Sequence, residues 1–213
     1  FQLGQITACK YVDVNGSGIK DAGDTTLANI SMSLSKYNGA SWIPQTSQET
    51  GVGGCTIFSG LTAGQYRVQE DYSDTDLDNY YPTNGDKADQ KQDFTVTSGS
   101  TQTVNFLNAH YRTISGTKYN DLNGDGVRDT GEPGLPGWTI RLNNGVTTTT
   151  DANGSYQFTL VADSYTIAED LQNGWSQTQP SAGHYDVDVH FNLTSTGNDF
   201  GNAKLSNIHG IKW

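Results

Sequence analysis

The residues with the clearest chemical pattern lie in an acidic stretch near the middle of the chain. Oxygen-bearing side chains stand at alternate positions, a glycine follows, and a glutamate closes the stretch, in the order Asp121, Asn123, Asp125, Gly126 and Glu132. This spacing fits an EF-hand loop, in which short acidic side chains around a tight turn converge on one Ca²⁺ ion. The sequence therefore predicts a calcium site, with Asp129 as an additional ligand. A plain turn rich in Asp and Asn is the alternative.

A weaker version of the same pattern lies near the N-terminus of the chain. The equivalent positions there are Asp13, Asn15, Ser17, Asp21 and Asp24. Because Ser17 replaces a carboxylate and the side chain of Asp24 is shorter than that of Glu132, we expect weaker calcium binding by Asp13, Asn15, Asp21 and Asp24. A plain turn is an equal alternative here. Prolines and glycines in residues 133–138 prevent a helix after the second loop, so the loops are predicted to join β-strands.

The two acidic loops belong to a longer internal repeat. Residues 6–18 match residues 114–126 at a constant offset, and two later stretches match in the same order. The sequence therefore predicts two copies of one module, at residues 1–111 and 112–205. Residues 206–213 repeat the beginning of a module and are predicted to start a third copy.

The elements that position these residues are predicted to be β-strands. The chain contains 25 Gly and 11 Tyr but one Met, and no segment has a helical period. Tyr165, Ile167 and Glu169 share one face of a predicted strand, and the first module shows the same alternation. Residues 147–158 are predicted to form a hairpin, and the acidic residues 71–93 a long solvated loop. The fold class is therefore all-β, with two tandem antiparallel β-sandwich modules.

The charge and hydropathy of the chain exclude several classes of function. The 213 residues carry 23 acidic and 12 basic side chains, and this net charge of −11 opposes nucleic acids and anionic lipids. No run approaches the roughly 20 apolar residues of a membrane-spanning helix, and the first residues do not resemble a signal peptide. We expect a soluble, monomeric piece of a longer array that binds no nucleic acid and inserts into no membrane.

Two stretches of the second module resemble a known family. Residues 116–138 read GTKYNDLNGDGVRDTGEPGLPGW, and residues 150–158 read TDANGSYQF. They resemble the B-repeat modules of serine-aspartate repeat adhesins, which belong with the B-type stalk domains of collagen adhesins. The resemblance implies a prealbumin-like or immunoglobulin-like β-sandwich, calcium bound by the acidic loop, and a spacer role in secreted, surface-anchored proteins. Neighbouring modules of the same chain are the implied partners.

The same resemblance implies a covalent cross-link within each module. Collagen-adhesin B-type modules often join a Lys on the first strand to an Asn on the last, and a buried acid promotes the reaction. The matching residues are Lys10, Glu70 and Asn108 in the first module, and Lys118, Glu169 and Asn202 in the second. Strand alternation independently places all six on apolar faces, where a lone charge is costly. A buried ion pair beside a hydrogen-bonded Asn is the alternative. Because such a reaction occurs once per module, we expect no enzyme.

The two cysteines, Cys9 and Cys55, are too few for a disulfide scaffold and lack the spacing of a zinc site. Cys9 aligns with Thr117 and Cys55 with Ser155, each beside an inward position, so both are expected to face outward. A disulfide between them is one hypothesis, and two free thiols are the alternative.

A ligand-binding module is the alternative function. An aromatic platform for a carbohydrate or protein ligand would use Trp42, Tyr72, Tyr80, Tyr81 and Trp175. Core filling or scattered surface positions are the favoured interpretation of these aromatic residues. A hydrolase is not supported, because the sequence contains no HExxH or GxSxG motif around the histidines His110, His184, His190 and His209.

Overall fold

A computed structural model describes residues 2–84 and 90–205, and the regular secondary structure of this part of the chain is β-strand apart from one 3-10 turn. The all-β fold class predicted from the sequence is confirmed. Two compact units divide the chain, Phe1–Tyr111 and Arg112–Trp213. The predicted start of a third copy at residues 206–213 lies outside the described residues. In the part that the structure describes, no helix is long and apolar enough to cross a membrane.

The first unit consists of two β-sheets that enclose one hydrophobic core. Its elements are β1 Gly4–Val12, β2 Thr25–Thr26, β3 Ser31–Tyr37, β4 Trp42–Glu49, β5 Cys55–Leu61, β6 Gly64–Glu70, a 3-10 turn Thr75–Leu77, β7 Tyr80–Pro82, β8 Lys91–Val96 and β9 Thr101–His110. One sheet has the order β2-β1-β9-β7 with β5 also paired to β1, and the other has the order β4-β3-β6-β8. Apolar side chains from both sheets, such as Ile6, Met32 and Phe106, fill the space between them.

The second unit repeats this plan. Its strands are β10 Arg112–Asn120, β11 Thr139–Leu142, β12 Thr147–Thr149, β13 Ser155–Leu160, β14 Ser164–Glu169, β15 Trp175–Gln179, β16 His184–Asp188, β17 Thr194–Ser195 and β18 Phe200–Lys204. One sheet has the order β13-β10-β18-β15 with β17 also paired to β10, and the other has the order β12-β11-β14-β16. The core between them includes Ile114, Ile167 and Phe200.

The first and last strands of each unit run parallel, a pairing that the predicted antiparallel sandwich did not include. Lys10 of β1 lies opposite Phe106 of β9, and Val12 lies opposite Asn108. Strands β10 and β18 pair in the same parallel way. Parallel neighbours need a long crossover connection, which here is the whole intervening module. This pairing places the lysine and the asparagine of each module on adjacent strands.

The predicted hairpin at residues 147–158 is wrong. Strand β12 pairs with β11, and β13 pairs with β10, so the two strands belong to different sheets. The turn between them packs against β10 instead: a Cβ at Gly154, whose φ is +77°, would lie 2.1 Å from the carbonyl oxygen of Lys118. Glycine is therefore required here by its left-handed backbone and by the close approach of β10.

Within the predicted solvated loop at residues 71–93, residues 71–84 form ordered structure. Leu77 in the 3-10 turn is buried in the core of the first unit, and Tyr80 packs against that core. Residues Tyr80–Pro82 extend the sheet as β7 beside β9. Each of these elements is only three residues long, so the sequence shows no periodic pattern of apolar residues there. Single apolar side chains attach them to the core.

Cys9 and Cys55 form a disulfide bond across the directly paired strands β1 and β5. Cys9 lies on the face of β1 opposite to Ile6 and Ala8, as expected, but it is buried rather than solvent-exposed. In the second unit Thr117 and Ser155 occupy the same cross-strand positions on β10 and β13.

Candidate cross-linking and metal sites

Lys10, Glu70 and Asn108 meet in the core of the first unit. Strands β1 and β9 hold the lysine and the asparagine in one sheet, and β6 brings the glutamate from the facing sheet. All three residues are at most 1% exposed. The Nζ atom of Lys10 lies 2.6 Å from Oε1 of Glu70, and Nδ2 of Asn108 donates a hydrogen bond of 3.4 Å to Oε2. Glu70 therefore bridges the amine and the amide.

Lys118, Glu169 and Asn202 occupy the equivalent positions in the second unit. The Nζ atom of Lys118 lies 2.9 Å from Oε2 of Glu169 and donates a hydrogen bond of 3.2 Å to the carbonyl oxygen of Phe200. The same nitrogen donates to Oδ1 of Asn202. Here the amine contacts the side-chain amide directly, without the glutamate between them.

Burial alters the acid–base chemistry of these groups. Desolvation lowers the pKa of Lys10 to about 8, although the carboxylate of Glu70 opposes the shift. Desolvation likewise lowers the pKa of Lys118 to about 8 against the effect of Glu169. Burial raises the pKa of Glu70, against the charge of Lys10. Proton transfer from ammonium to carboxylate is therefore easier in these cores than in water.

Two amide atoms of the asparagines lack partners. Within the described residues, Oδ1 of Asn108 and Nδ2 of Asn202 are buried without a hydrogen-bond partner. An unpartnered buried polar atom costs about 1–3 kcal/mol. Placing all six residues inward is confirmed by their burial, while their chemical roles stay predictions.

The acidic loop of the second unit is closed by its own hydrogen bonds. Both carboxylate oxygens of Asp121 and both of Glu132 accept hydrogen bonds from backbone N–H groups of the loop. The Nδ2 atom of Asn123 donates bonds of 3.0 Å to a carboxylate oxygen of Asp125 and to one of Asp129. The carboxylates of Asp125 and Asp129, two of the predicted ligands, therefore both point toward the side-chain NH2 group of Asn123.

The acidic loop of the first unit follows the same plan. The buried carboxylate of Asp13 accepts backbone N–H groups, and Nδ2 of Asn15 donates a bond of 3.0 Å to Asp21. Asp24 accepts two further backbone N–H groups at the end of the loop.

Across residues 2–84 and 90–205, no group of three or more His, Cys, Asp or Glu side chains is arranged to hold a metal ion. The carboxylate and amide oxygens of the acidic loops are nevertheless the donor types that Ca²⁺ takes. Their chemistry fits the ion, whereas binding would require the loops to exchange internal hydrogen bonds for metal bonds. Calcium therefore stays a prediction.

The aromatic residues considered as a platform lie in separate groups. Trp42 packs against Tyr37 with ring centroids 5.2 Å apart, and the guanidinium of Arg67 lies 4.2 Å from its ring centroid. Tyr72 donates a hydrogen bond to the backbone of Tyr80. Tyr81 packs against Tyr111, and Trp175 packs against Trp138 in the other unit. This grouping favours packing over a shared binding surface.

Trp138 is a site residue that the sequence interpretation missed. Its buried ring lies 4.4 Å, measured to the centroid, from Nζ of Lys118. The repeat alignment offered no signal for this contact, because Ile30 stands at the matching position of the first module.

Comparisons with known proteins find similar sequences and similar structures. Residues 112–202 match the family model of the SdrD B-like domain. The chain is 30% identical over 200 residues to serine-aspartate repeat-containing protein F of Staphylococcus epidermidis, a match that covers 88% of the chain and 12% of that protein. It is 28% identical over 203 residues to serine-aspartate repeat-containing protein D of Staphylococcus aureus strain Newman, covering 87% and 15%. The chain thus spans a small part of these relatives.

Among solved structures, the minor pilin GBS52 of Streptococcus agalactiae matches with 14% identity and a TM-score of 0.40, covering 98% of the chain and 99% of the pilin. The shaft pilin SpaA of Lactobacillus rhamnosus GG matches with 12% identity and a TM-score of 0.40, covering 98% of the chain and all of that pilin.

Proposed function

We propose that this chain, whose second module is an SdrD B-like domain, is a stalk segment of a secreted or cell-surface adhesin, stiffened by one Lys–Asn cross-link in each module. The chain is a structural protein rather than an enzyme. The observation that carries the cross-link is the burial of a lysine, a glutamate and an asparagine at the same place in both units. The disulfide supports an oxidising, extracellular setting.

The proposed reaction in the second module starts with the lysine. The Lys118 ammonium gives a proton to Glu169, 2.9 Å away, and becomes a neutral nucleophile. Its Nζ atom attacks Cγ of Asn202, while the protonated Glu169 donates a hydrogen bond to Oδ1. The Nζ–Cγ bond forms and the Cγ–Nδ2 bond breaks. Nδ2 leaves as ammonia, which carries its own two hydrogens and a third hydrogen from Nζ. Glu169 passes this third hydrogen from Nζ to Nδ2 and is still protonated at the end of the reaction.

The geometry supports this reaction in two ways. The fold holds amine and amide together, which removes the entropy cost of their encounter. The leaving atom, Nδ2 of Asn202, has no hydrogen-bond partner among the described residues, so no such bond opposes its departure.

Intact mass spectrometry of the denatured and reduced full chain tests the cross-links, because reduction restores the two hydrogens that the Cys9–Cys55 disulfide removes. We expect the chain to be lighter than its sequence by two ammonia molecules. Lys118→Ala or Glu169→Ala should reduce the loss to one, and Lys10→Ala is the matched variant that removes only the loss from the first module. An unmodified wild-type mass would show that the triads are buried ion pairs with hydrogen-bonded asparagines.

The proposed stalk also binds Ca²⁺ at its acidic loops, more tightly in the second module. Support comes from the oxygen donors and from the Asp125 and Asp129 carboxylates, which converge on one amide nitrogen. Asp121, Asn123 and Glu132 would complete the set of ligands. In the first module Asp13, Asn15, Asp21 and Asp24 would act in the same way.

Removal of calcium should lower the melting temperature of the full chain. A ligand present at a hundred times its Kd stabilises the folded state by about 2.7 kcal/mol, and a chelator removes that contribution. Asp125→Ala together with Asp129→Ala should abolish most of the response to chelator, whereas Asp151→Ala, in a turn outside the loops, should retain it. If chelator leaves the melting temperature of the wild type unchanged and elemental analysis finds no metal, the loops are only turns.

A further inference from the structure

The two modules differ at the position of Trp138, whose ring lies against Lys118 in the second module. Trp138 and Ile30 occupy the same structural position, because each N–H donates to the hydroxyl of a threonine and each carbonyl accepts from the N–H of that same threonine, Thr150 or Thr50. Both side chains are buried. The second module therefore has an aromatic ring where the first has an aliphatic side chain.

The surroundings of Lys118 fit an ammonium ion. Its Nζ atom donates hydrogen bonds to Oδ1 of Asn202 and to the backbone oxygen of Phe200. It also forms an ion pair with Glu169, whose carboxylate oxygens accept no hydrogen bond of good geometry among the described residues. The face of the Trp138 ring adds a further attraction for positive charge. A neutral amine could make the same two hydrogen bonds, but it carries no positive charge for the Glu169 carboxylate or the ring face to attract.

Lys10 has a sparser environment. Among the described residues, its Nζ atom has an ion-pair contact with Glu70 and no hydrogen bond of good geometry. A glutamate lies beside the lysine in both modules, so the carboxylates do not account for the difference between the surroundings of Lys10 and those of Lys118. Glu169 on β14 is the charged side chain that faces Lys118, and the ring of Trp138 lies against it on another side.

We propose that Trp138 is a positioning residue that holds Lys118 as an ammonium ion and so makes cross-linking slower in the second module than in the first. This inference rests on the proposed cross-link. Lysine must lose a proton before it attacks, so an interaction with the cation alone stabilises the unreactive state. The ring is 2% exposed, which excludes water from the contact, and Trp175 packs edge-on against it with centroids 5.7 Å apart.

The rate of ammonia loss in each module provides the first test. Freshly synthesised full chain is sampled over time, and cross-linked peptides from each module are counted by mass spectrometry. Trp138→Ile, which copies the first module, should speed cross-linking of the second by about two- to thirtyfold, the range for cation–π contacts at exposed to desolvated sites. Trp138→Phe should change it less because a ring remains. Ile30→Trp should slow the first module while leaving the second unchanged.

A second measurement separates this inference from the proposed cross-link. In full chain carrying Asn202→Ala, which cannot react in the second module, NMR titration follows the ionisation of Lys118. Adding Trp138→Ile should lower the pKa of Lys118 by about 0.4–1.5, and adding Trp138→Phe should lower it less. If no ammonia is lost anywhere, the cross-link fails but this titration still tests Trp138. An unchanged pKa of Lys118, or unchanged rates in folded Trp138→Ile chain, would overturn the inference.

Discussion

Replacing Glu169 by alanine should lower the unfolding free energy of the second module by about 3–5 kcal/mol, because it leaves the buried Lys118 ammonium without a counter-ion. The same substitution also prevents the cross-link, which lowers the unfolding free energy further. Lys118 and Asn202 are 84 residues apart, and closing a loop of this length stabilises by about 4–5 kcal/mol in the chain-entropy model. Denaturant unfolding of the full chain, with limited proteolysis to assign each transition to a module, measures the effect.

A double variant separates the ion pair from the cross-link. Lys118→Met with Glu169→Leu replaces the pair by apolar side chains of similar size. If the pair acts only through charge, this variant should be about as stable as the wild type, since buried ion pairs seldom exceed their desolvation cost. If the cross-link forms, the double variant should remain less stable by about 4–5 kcal/mol. Stability equal to that of the wild type would contradict the covalent interpretation.

Reduction of the Cys9–Cys55 disulfide should destabilise the first module and leave the second unchanged. The two cysteines are 46 residues apart, so the chain-entropy model gives about 4 kcal/mol. This full effect is expected in Lys10→Ala chain. In cross-linked chain the effect should be smaller, because a Lys10–Asn108 bond already restricts the unfolded segment that contains both cysteines.

The second module is the internal control for this experiment, because Thr117 and Ser155 stand where the first has its disulfide. Melting with and without reductant should therefore shift one of two transitions. In a chain carrying Cys9→Ser and Cys55→Ser, the first module should melt at the temperature of the reduced wild type, and reductant should not change that temperature. A shift of both transitions, or a response in the serine variant, would contradict the role assigned to the disulfide.

Much of the site could be predicted from the sequence because two kinds of local information agree. Strand alternation placed Lys10, Lys118 and the two glutamates on inward faces, and the structure buries them. The repeat then showed that both modules keep the same residue types at those places. A buried lysine demands a partner or a reaction, and the family resemblance supplied the glutamate and the asparagine as the residues that meet it.

The contacts between strands required the tertiary structure. Parallel pairing of β1 with β9 depends on the packing of the whole module, and the sequence predicted antiparallel sheets. The same holds for β12 and β13. The turn residues between them predicted one hairpin, but the two strands lie in different sheets. Local turn residues specify a change of direction and leave open which strand is the next partner.

By itself, the sequence determined the all-β class, the inward faces of the strands and the residue types that meet in each core. Only the tertiary structure decided which atoms touch: Glu70 lies between amine and amide in the first module, whereas Lys118 contacts Asn202 directly beneath Trp138 in the second. Alternation along a strand sets the face of a side chain. The distance between residues far apart in the chain depends on strand register and sheet packing, which form only when the whole module folds.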